Sequence, residues 1–247
     1  MKLNVNQGFT FGTNINNIVV PDALRRRIAT GLDYFDGVAG GQGLTPSSVI
    51  LFTGTPGAGK TTMMLTLADA LNAQGVTSVF NTGEESLYQV KMTAERLGLD
   101  SGFAVGEEVM VPELLKGCDK LMAANPDKPF VLIIDSLQTM NDGKYGINTN
   151  SSTAERALEM ITDWCKLTNA CAIVIGQVGK DGTFSGKNKL KHMIDAMCEM
   201  WVDDDKKSEF YGLRVMEMTK NRFGGAGVRF YLEMTKQGFE FVDKVPA

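Results

Sequence analysis

The sequence predicts an α/β fold in which helices flank a mostly parallel central sheet and a C-terminal antiparallel β-meander follows. Strand-like and helix-like segments alternate along most of the chain, as a parallel sheet with covering helices requires. The segment 130–134 is apolar at every position, which is typical of a strand covered on both faces. Beyond Trp201 the pattern changes to short runs separated by glycine-bearing turns, which predict antiparallel hairpins.

The individual elements have recognisable ends. Gly75 and Gly98 each end a helix, and the Asn-Pro-Asp sequence at 125–127 breaks a third helix. Strands are predicted at 49–53, 77–82, 130–134, 172–177, 211–219, 228–235 and 239–242, and helices at 60–73, 87–97, 111–124 and about 153–167.

The region around residue 195 is predicted to be structural. Met193, Met197 and Met200 recur at helical spacing, and we expect these adaptable side chains to pack in the core. His192 is predicted to begin a helix, where a lone histidine is more often structural than catalytic.

Composition indicates an ordinary globular chain of one domain, with 247 residues, 22% charged and 43% hydrophobic. No window is apolar enough for a membrane helix, and the N-terminus has no apolar signal core, so we expect a cytoplasmic protein without a membrane partner. The four cysteines lack C-x-x-C spacing and are predicted to be reduced packing residues. A net charge of −4 argues against bulk coating of nucleic acid, so any such contact must use local basic patches.

A glycine-rich loop directly follows the first predicted strand and precedes a helix. This context predicts a phosphate-binding loop, whose backbone N–H groups surround the phosphates of a nucleoside triphosphate. Lys60 is expected to reach the terminal phosphates, and the Thr61 hydroxyl to ligate Mg²⁺. A chance match would not come framed by a strand and a helix. The loop consists of Gly54, Thr55, Pro56, Gly57, Ala58, Gly59, Lys60, Thr61 and Thr62.

Carboxylates follow two other predicted strands. Asp135 ends the apolar strand, where it is expected to hold Mg²⁺ through water, although a strand-ending aspartate also fits a simple turn. Glu84 and Glu85 follow the strand at 77–82, beside the expected phosphates, where a carboxylate can orient and deprotonate water. Both glutamates also suit the start of the next helix. We favour Glu84 as the catalytic base and Glu85 as the second choice, which predicts hydrolysis more than transfer to a small acceptor.

Five stretches, in this order, carry a resemblance to the ATPase core of the bacterial RadA/Sms recombination proteins, within the RecA-like superfamily: GTPGAGKTT, NTGEES, VLIIDSLQTM, GQVGKDGTFSGKNKLKHMID and TKNRFG. The KNRFG and GEES segments are the most selective. The zinc module and protease-like domain of the full-length family have no counterpart here, so we expect a minimal core of the bacteriophage type. The resemblance implies a RecA-like P-loop ATPase domain at 28–247, ATP as the nucleotide, and a possible inter-subunit linker at 1–27.

The resemblance also implies a strand order in which the strand ending at Gln177 lies between the P-loop and Asp135 strands. Gln177 then becomes a γ-phosphate sensor; RadA proteins commonly carry a histidine there, and an amide can still report phosphate by hydrogen bonding. The loop that follows becomes a contact for single-stranded DNA, and the loop 141–152 could add an aromatic for base stacking. A solvated surface loop with incidental lysines is the alternative. The candidate contacts are Lys144, Tyr145, Lys180, Lys187, Lys189 and Lys191.

Lys220 and Arg222 resemble cations that RecA-like assemblies supply to the ATP of a neighbouring subunit, which implies a homo-oligomer, either a hexameric ring or a helical filament. An exposed basic hairpin tip would also fit. Phe9 and Phe11 are similar to the phenylalanine anchors of recombinase linkers, and burial on their own domain is an equal alternative.

Together these features predict an ATP-dependent recombination protein that binds single-stranded DNA and hydrolyses ATP at subunit interfaces, in strand annealing, strand exchange or branch migration. Replication or recombination proteins are expected as further partners. Three alternatives remain open. A DnaB-like helicase core is disfavoured by the KNRFG turn, a KaiC-like signalling ATPase by the basic loop, and a non-hydrolysing scaffold by Glu84.

Overall fold

A single mixed sheet organises the part of the chain that the computed structural model describes, which is residues 9–150, 152–177 and 187–247. Its strands are β1 (Val49–Gly54), β2 (Thr77–Thr82), β3 (Ala104–Gly106), β4 (Phe130–Asp135), β5 (Cys171–Gln177), β6 (Ala196–Val202), β7 (Arg214–Asn221), β8 (Val228–Thr235) and β9 (Gly238–Pro246). They lie side by side in the order β3-β2-β4-β5-β1-β6-β7-β8-β9. The predicted position of β5 between the P-loop strand and the Asp135 strand is therefore confirmed.

The strands from β3 to β6 pair in parallel, which aligns their ends. Gly54 at the end of β1 is level with Gln177 of β5 and Met200 of β6. Thr82 at the end of β2 is level with Asp135 at the end of β4. The carboxyl ends of β1, β2, β4 and β5 consequently meet at one edge of the sheet, which we call the carboxyl edge.

Helices cover both faces of this sheet. They are α1 (Asp22–Arg25), α2 (Asp33–Val38), α3 (Lys60–Ala73), α4 (Leu87–Leu97), α5 (Val111–Ala124), α6 (Thr153–Thr168) and α7 (Lys187–Met193). Because side chains alternate along a strand, Ile50 and Phe52 of β1 pack on the α3 side, whereas Leu51 packs with α5 and α6 on the other. Burial on both faces explains why the central strands are apolar throughout. None of the described helices is long and apolar enough to cross a membrane.

The predicted antiparallel meander is confirmed, with a longer last strand than expected. β6 pairs with β7, β7 with β8 and β8 with β9, all antiparallel. β9 continues to Pro246, beyond the predicted end at residue 242. The aromatic ring of Phe239 lies in the α3-side core, so the meander extends the same hydrophobic core.

The prediction of a helical period around residue 195 is wrong. Met197 and Met200 lie on β6, and they are buried in the cores on opposite faces of the sheet. A strand covered on both faces buries side chains at any spacing, so a three-residue separation imitated a helix. His192 is the last residue but one of α7, so it ends a helix where the sequence predicted that it begins one. The short edge strand β3 was not predicted.

The four cysteines are free and buried, in agreement with a packing role. Desolvation raises the pKa of the Cys118 and Cys171 thiols to about 12. Both thiols therefore stay protonated at neutral pH.

A buried aspartate joins three elements at the opposite, amino edge of the sheet. The Asp195 carboxylate, 2% exposed as a residue, accepts the backbone N–H of Val49 at 3.0 Å and the Lys166 ammonium at 2.9 Å. The Arg222 guanidinium donates to its other oxygen at 3.3 Å. Asp195 therefore fastens β1, α6 and the end of β7 to one another.

Replacing Asp195 with alanine should lower the free energy of unfolding by about 3–5 kcal/mol, because the substitution removes the acceptor of the buried Val49 N–H and the carboxylate that pairs with Lys166. The Lys166 ammonium is then left with the neutral Ser47 carbonyl. Urea unfolding followed by circular dichroism measures this change. Asp127→Ala, at an exposed position, is the matched control and should have almost no effect. A loss below about 1 kcal/mol for Asp195→Ala would contradict the anchoring role.

Candidate functional site

The loop between β1 and α3 is shaped by glycines that approach neighbouring groups closely. A Cβ at Gly54 would lie 1.9 Å from the carbonyl oxygen of Met200, so β1 and β6 meet too closely there for any side chain. Gly59 is the N-cap of α3, with φ +101° in the left-handed region that favours glycine, and a Cβ there would lie 2.7 Å from the Phe239 ring. This turn directs the N-terminus of α3, with its free N–H groups, toward the loop.

The Lys60 side chain folds back into this loop. Its ammonium donates to the carbonyl oxygens of Gly54 at 2.9 Å and Thr55 at 3.0 Å. Desolvation lowers the pKa of Lys60, and the nearby Asp135 and Glu84 carboxylates oppose that shift. The Lys60 ammonium therefore lies in the loop where a phosphate group at the N-terminus of α3 would contact it.

The two predicted magnesium ligands are in direct contact. The Thr61 hydroxyl donates to Asp135 Oδ2 at 2.6 Å. Burial raises the pKa of the Asp135 carboxyl, and the Thr61 hydrogen bond lowers it in part. A hydroxyl and a carboxylate at the entrance of a phosphate loop are the hard oxygen donors that Mg²⁺ prefers, so these residues fit the ion.

Glu84 is held between the ends of three strands. Its Oε1 accepts the Gln177 side-chain amide at 2.6 Å and also accepts the Ser136 hydroxyl. Gln177 ends β5, Ser136 follows β4 and Glu84 follows β2, so these contacts depend on the confirmed strand order. Of the two candidate bases, Glu84 lines the cavity at this edge. The α4 N-terminus is capped by Ser86, which forms a capping box with Gln89.

A cavity of about 430 Å³ collects most of the predicted site. At the carboxyl edge of the sheet, the P-loop, Glu84, Asp135 and Gln177 all line this cavity. Its lining consists of Gly54, Pro56, Gly57, Gly59, Lys60, Thr61, Thr62, Glu84, Asp135, Ile175 and Gln177.

Lys220 and Arg222 lie elsewhere. Lys220 is level with Met197 of β6 and, through it, with Leu51 of β1, about 10 Å along the strands from Gly54 toward the amino edge. Its ammonium donates to the carbonyl oxygens of Lys191 at 2.5 Å and Ile194 at 2.7 Å, at the end of α7. Desolvation, followed by the Arg222 charge, lowers the pKa of Lys220. The two cations thus belong to the edge of the sheet opposite their own P-loop.

The proposed DNA-contacting residues are described in part. Tyr145 is 49% exposed, and the Lys144 ammonium and Arg156 guanidinium lie 5.5 and 5.4 Å from the centre of its ring. Lys191 is in the last turn of α7. Lys180 falls outside the described residues, as do the side chains of Lys187 and Lys189.

Three residues that contact the candidate site residues were not identified from the sequence. Ser136 contacts the candidate base, Asp195 anchors Arg222, and Arg156 both approaches Tyr145 and pairs with Asp142. Only Ser136 had a visible signal, since it directly follows Asp135.

Comparison with known proteins agrees with the phosphate-binding site described above. Residues 40–183 match a family described as "AAA domain". The chain is 33% identical over 223 residues to "DNA repair protein RadA" of Aquifex aeolicus, which covers 90% of this chain and 47% of that protein. It is 34% identical to the Escherichia coli protein of the same name, again over 223 residues, with 90% and 46% covered. The chain therefore spans about half the length of the curated relatives it matches.

Two solved structures share the fold. "ATPase Domain of G40P" aligns with a TM-score of 0.75 at 16% identity and covers 90% of this chain and 94% of that one. "The Structure Of A DnaB-Like Replicative Helicase And Its Interactions With Primase" aligns with a TM-score of 0.73 at 14% identity and covers 88% and 63%. Together with the P-loop geometry, the match over residues 40–183 shows that the chain belongs to the AAA domain family, as a RadA-like P-loop ATPase core of the RecA-like superfamily.

Proposed function

We propose that this chain is an ATPase of DNA repair or recombination that binds single-stranded DNA and hydrolyses ATP at interfaces between its own copies. The observation that carries the proposal is the Glu84 carboxylate, hydrogen-bonded to the Gln177 amide in the cavity that also contains Lys60 and the Thr61–Asp135 pair. A base, a phosphate-binding cation and a metal-binding pair in one cavity support hydrolysis of a nucleoside triphosphate.

Each residue has a distinct task in this mechanism. Lys60 and the backbone N–H groups at the start of α3 bind the phosphates of ATP. Thr61 and Asp135 would hold Mg²⁺, which when bound would supply positive charge to offset the negative charge of the phosphates. Glu84 accepts a proton from the water that attacks the γ-phosphorus, and the Gln177 amide donates to the γ-phosphate.

The position of Lys220 supports catalysis between subunits. Its ammonium is fastened to α7 carbonyls at the amino edge, whereas its own P-loop lies at the carboxyl edge. A head-to-tail contact would bring Lys220 and Arg222 of one copy to the ATP of the next, where they neutralise developing charge. A ring or a helical filament provides that contact repeatedly. Phe9, 48% exposed, and the fully exposed Phe11 of the N-terminal segment 1–27 are proposed to anchor the 28–247 domain to its neighbour.

The DNA contact is proposed at the loops near the carboxyl edge. Tyr145 offers an exposed ring flanked by the Lys144 and Arg156 cations, which suits stacking on an unpaired base beside a phosphate backbone. Lys180, Lys187 and Lys189 are proposed to extend this basic surface, and Lys191, in the last turn of α7, to continue it toward the amino edge. Because Gln177 immediately precedes the loop that carries Lys180, we propose that it couples the state of the γ-phosphate to the DNA contact.

A DnaB-like helicase core is the second candidate, because the fold aligns over 88% of the chain with a DnaB-like replicative helicase. Displacement of a labelled strand from a forked duplex distinguishes the two, since an annealing protein joins complementary strands without unwinding them.

Both Glu84 and single-stranded DNA are expected to control the rate of ATP hydrolysis. Single-stranded DNA should stimulate ATP hydrolysis, and Glu84→Gln should reduce turnover by about 10²-fold or more while ATP binding is kept. Phosphate release with and without a poly-deoxythymidine oligonucleotide measures both effects. Glu85→Gln, which removes the same charge one residue away, is the matched control and should keep most of the turnover. A rate indifferent to DNA would contradict the DNA coupling, and full turnover in Glu84→Gln would contradict the assignment of the base.

Mg²⁺ binding at the Thr61–Asp135 pair can be tested separately from ATP binding. Asp135→Asn removes the only formal charge of the Thr61–Asp135 pair, so the affinity for ATP with Mg²⁺ should fall about tenfold or more. The affinity for ATP in excess chelator should stay unchanged, which provides the internal control. Fluorescent ATP titrations measure both affinities. An equal loss in the two conditions would contradict the metal role.

Mixing two inactive variants tests catalysis between subunits. Lys220→Ala keeps its base, and Glu84→Gln keeps its cations. A 1:1 mixture should regain up to about a quarter of the wild-type rate, since that share of randomly formed head-to-tail interfaces carries both groups. The control mixture pairs Glu84→Gln with the doubly substituted chain, which leaves every interface without a base. Failure of the first mixture to exceed this control would refute the role in trans.

A further inference from the structure

Ser136 contacts the candidate base, Glu84, from the end of the neighbouring strand β4. It follows Asp135 at the end of β4 and is fully buried. Its hydroxyl donates to Oε1 of Glu84, the same oxygen that accepts the Gln177 amide at 2.6 Å. Among the described residues, both hydrogen bonds to this carboxylate therefore go to one oxygen, and the other oxygen remains for a further partner.

The segment that carries Ser136 is held on both sides. The Ser136 carbonyl accepts the Thr139 hydroxyl at 2.8 Å and the Thr139 N–H at 3.2 Å. The Gly83 N–H donates to the Asp135 carbonyl at 2.7 Å. A Cβ at Gly83 would lie 2.1 Å from the Thr139 hydroxyl, so the end of β2 packs directly on this turn. The donor and the strand that carries Glu84 are thus fixed relative to each other.

Gln177 and Ser136 differ as partners of the base. Gln177 is exposed at the end of β5, and in the proposed mechanism its amide donates to the γ-phosphate during hydrolysis. Ser136 is buried, and its hydroxyl has the Glu84 carboxylate as its acceptor. When Gln177 turns to phosphate, Ser136 is the donor that keeps the exposed Glu84 side chain in place.

We propose that Ser136 is a positioning residue for ATP hydrolysis, which holds one oxygen of the Glu84 carboxylate so that the other oxygen accepts the proton of the attacking water. The inference rests on the proposed role of Glu84 as the base. Loss of the hydroxyl frees rotation of a long side chain, and a displacement of about 1 Å at a reacting group costs up to about 10²-fold in rate.

Ser136→Ala should therefore lower kcat for ATP by about 10- to 100-fold and change KM and the affinity for ATP less than about twofold. Ser78→Ala is the matched control: Ser78 is also buried, and its hydroxyl donates to a single acceptor, the Ala68 carbonyl at 2.7 Å, away from the cavity. Its kcat should stay within about twofold of the wild type. A Ser136→Ala kcat as high as that of Ser78→Ala overturns the inference.

A double-mutant cycle separates positioning from a general structural role. In the Glu84→Gln background, Ser136→Ala should cause no further loss of the residual rate, measured by long incubation with labelled ATP. A further loss equal to that in the wild-type background would show that Ser136 acts independently of Glu84. Ser136→Cys, which keeps the side-chain volume and replaces the hydroxyl with a weak donor, provides a second variant with the same expected direction if the alanine variant does not fold.

The same experiments distinguish failure of the proposed base, Glu84, from failure of the positioning role of Ser136. Full turnover in Glu84→Gln overturns the proposed base and the positioning role with it. An inactive Glu84→Gln beside a fully active Ser136→Ala overturns only the role of Ser136.

Discussion

The register of the parallel strands is the constraint on which the whole site depends. Because Gly54 is level with Gln177, and Thr82 with Asp135, four strand ends deliver their polar residues to one edge. A shift of one residue in any strand would turn its side chains to the opposite face and dismantle the site. Side chains on both faces of β1, β4 and β5 pack into the two hydrophobic cores, and a shift would break that packing. Packing in the core and chemistry at the edge therefore depend on the same register.

The local part of the site was predictable from sequence, and the non-local part was not. A phosphate loop is contiguous, so Lys60 and Thr61 are visible in a single motif with its flanking strand and helix. The contact between Ser136 and Glu84 joins residues that are 52 positions apart in the chain, and it exists only because β2 and β4 are neighbours. β6 was missed for a related reason, since burial on both faces removes the alternation that identifies a strand.

The position of Lys220 shows how a motif can be recognised without its surroundings. The sequence indicates a cation near a turn, and the structure adds that its ammonium is hydrogen-bonded to two carbonyls at the end of α7. Asp195, which anchors Arg222 in the same region, is an isolated aspartate in the sequence and gives no signal. Its importance follows from its burial and its three donors, which only the folded chain brings together.

The α7 carbonyls give the proposed contact between subunits an energetic condition. If Lys220 is to neutralise a neighbour's γ-phosphate, its ammonium can offer its third N–H while it keeps the carbonyls of Lys191 and Ile194, or it can exchange those carbonyls for the phosphate. The exchange costs about 1–3 kcal/mol for each acceptor that is left buried and unpaired. A doubly charged phosphate terminus can offset that loss, because its negative charge attracts the ammonium, whereas the two carbonyl oxygens are neutral. A hydrolysed nucleotide without its γ-phosphate cannot. Because both carbonyls lie at the end of α7, the same exchange of partners would release or hold that end of α7 in step with the neighbour's nucleotide.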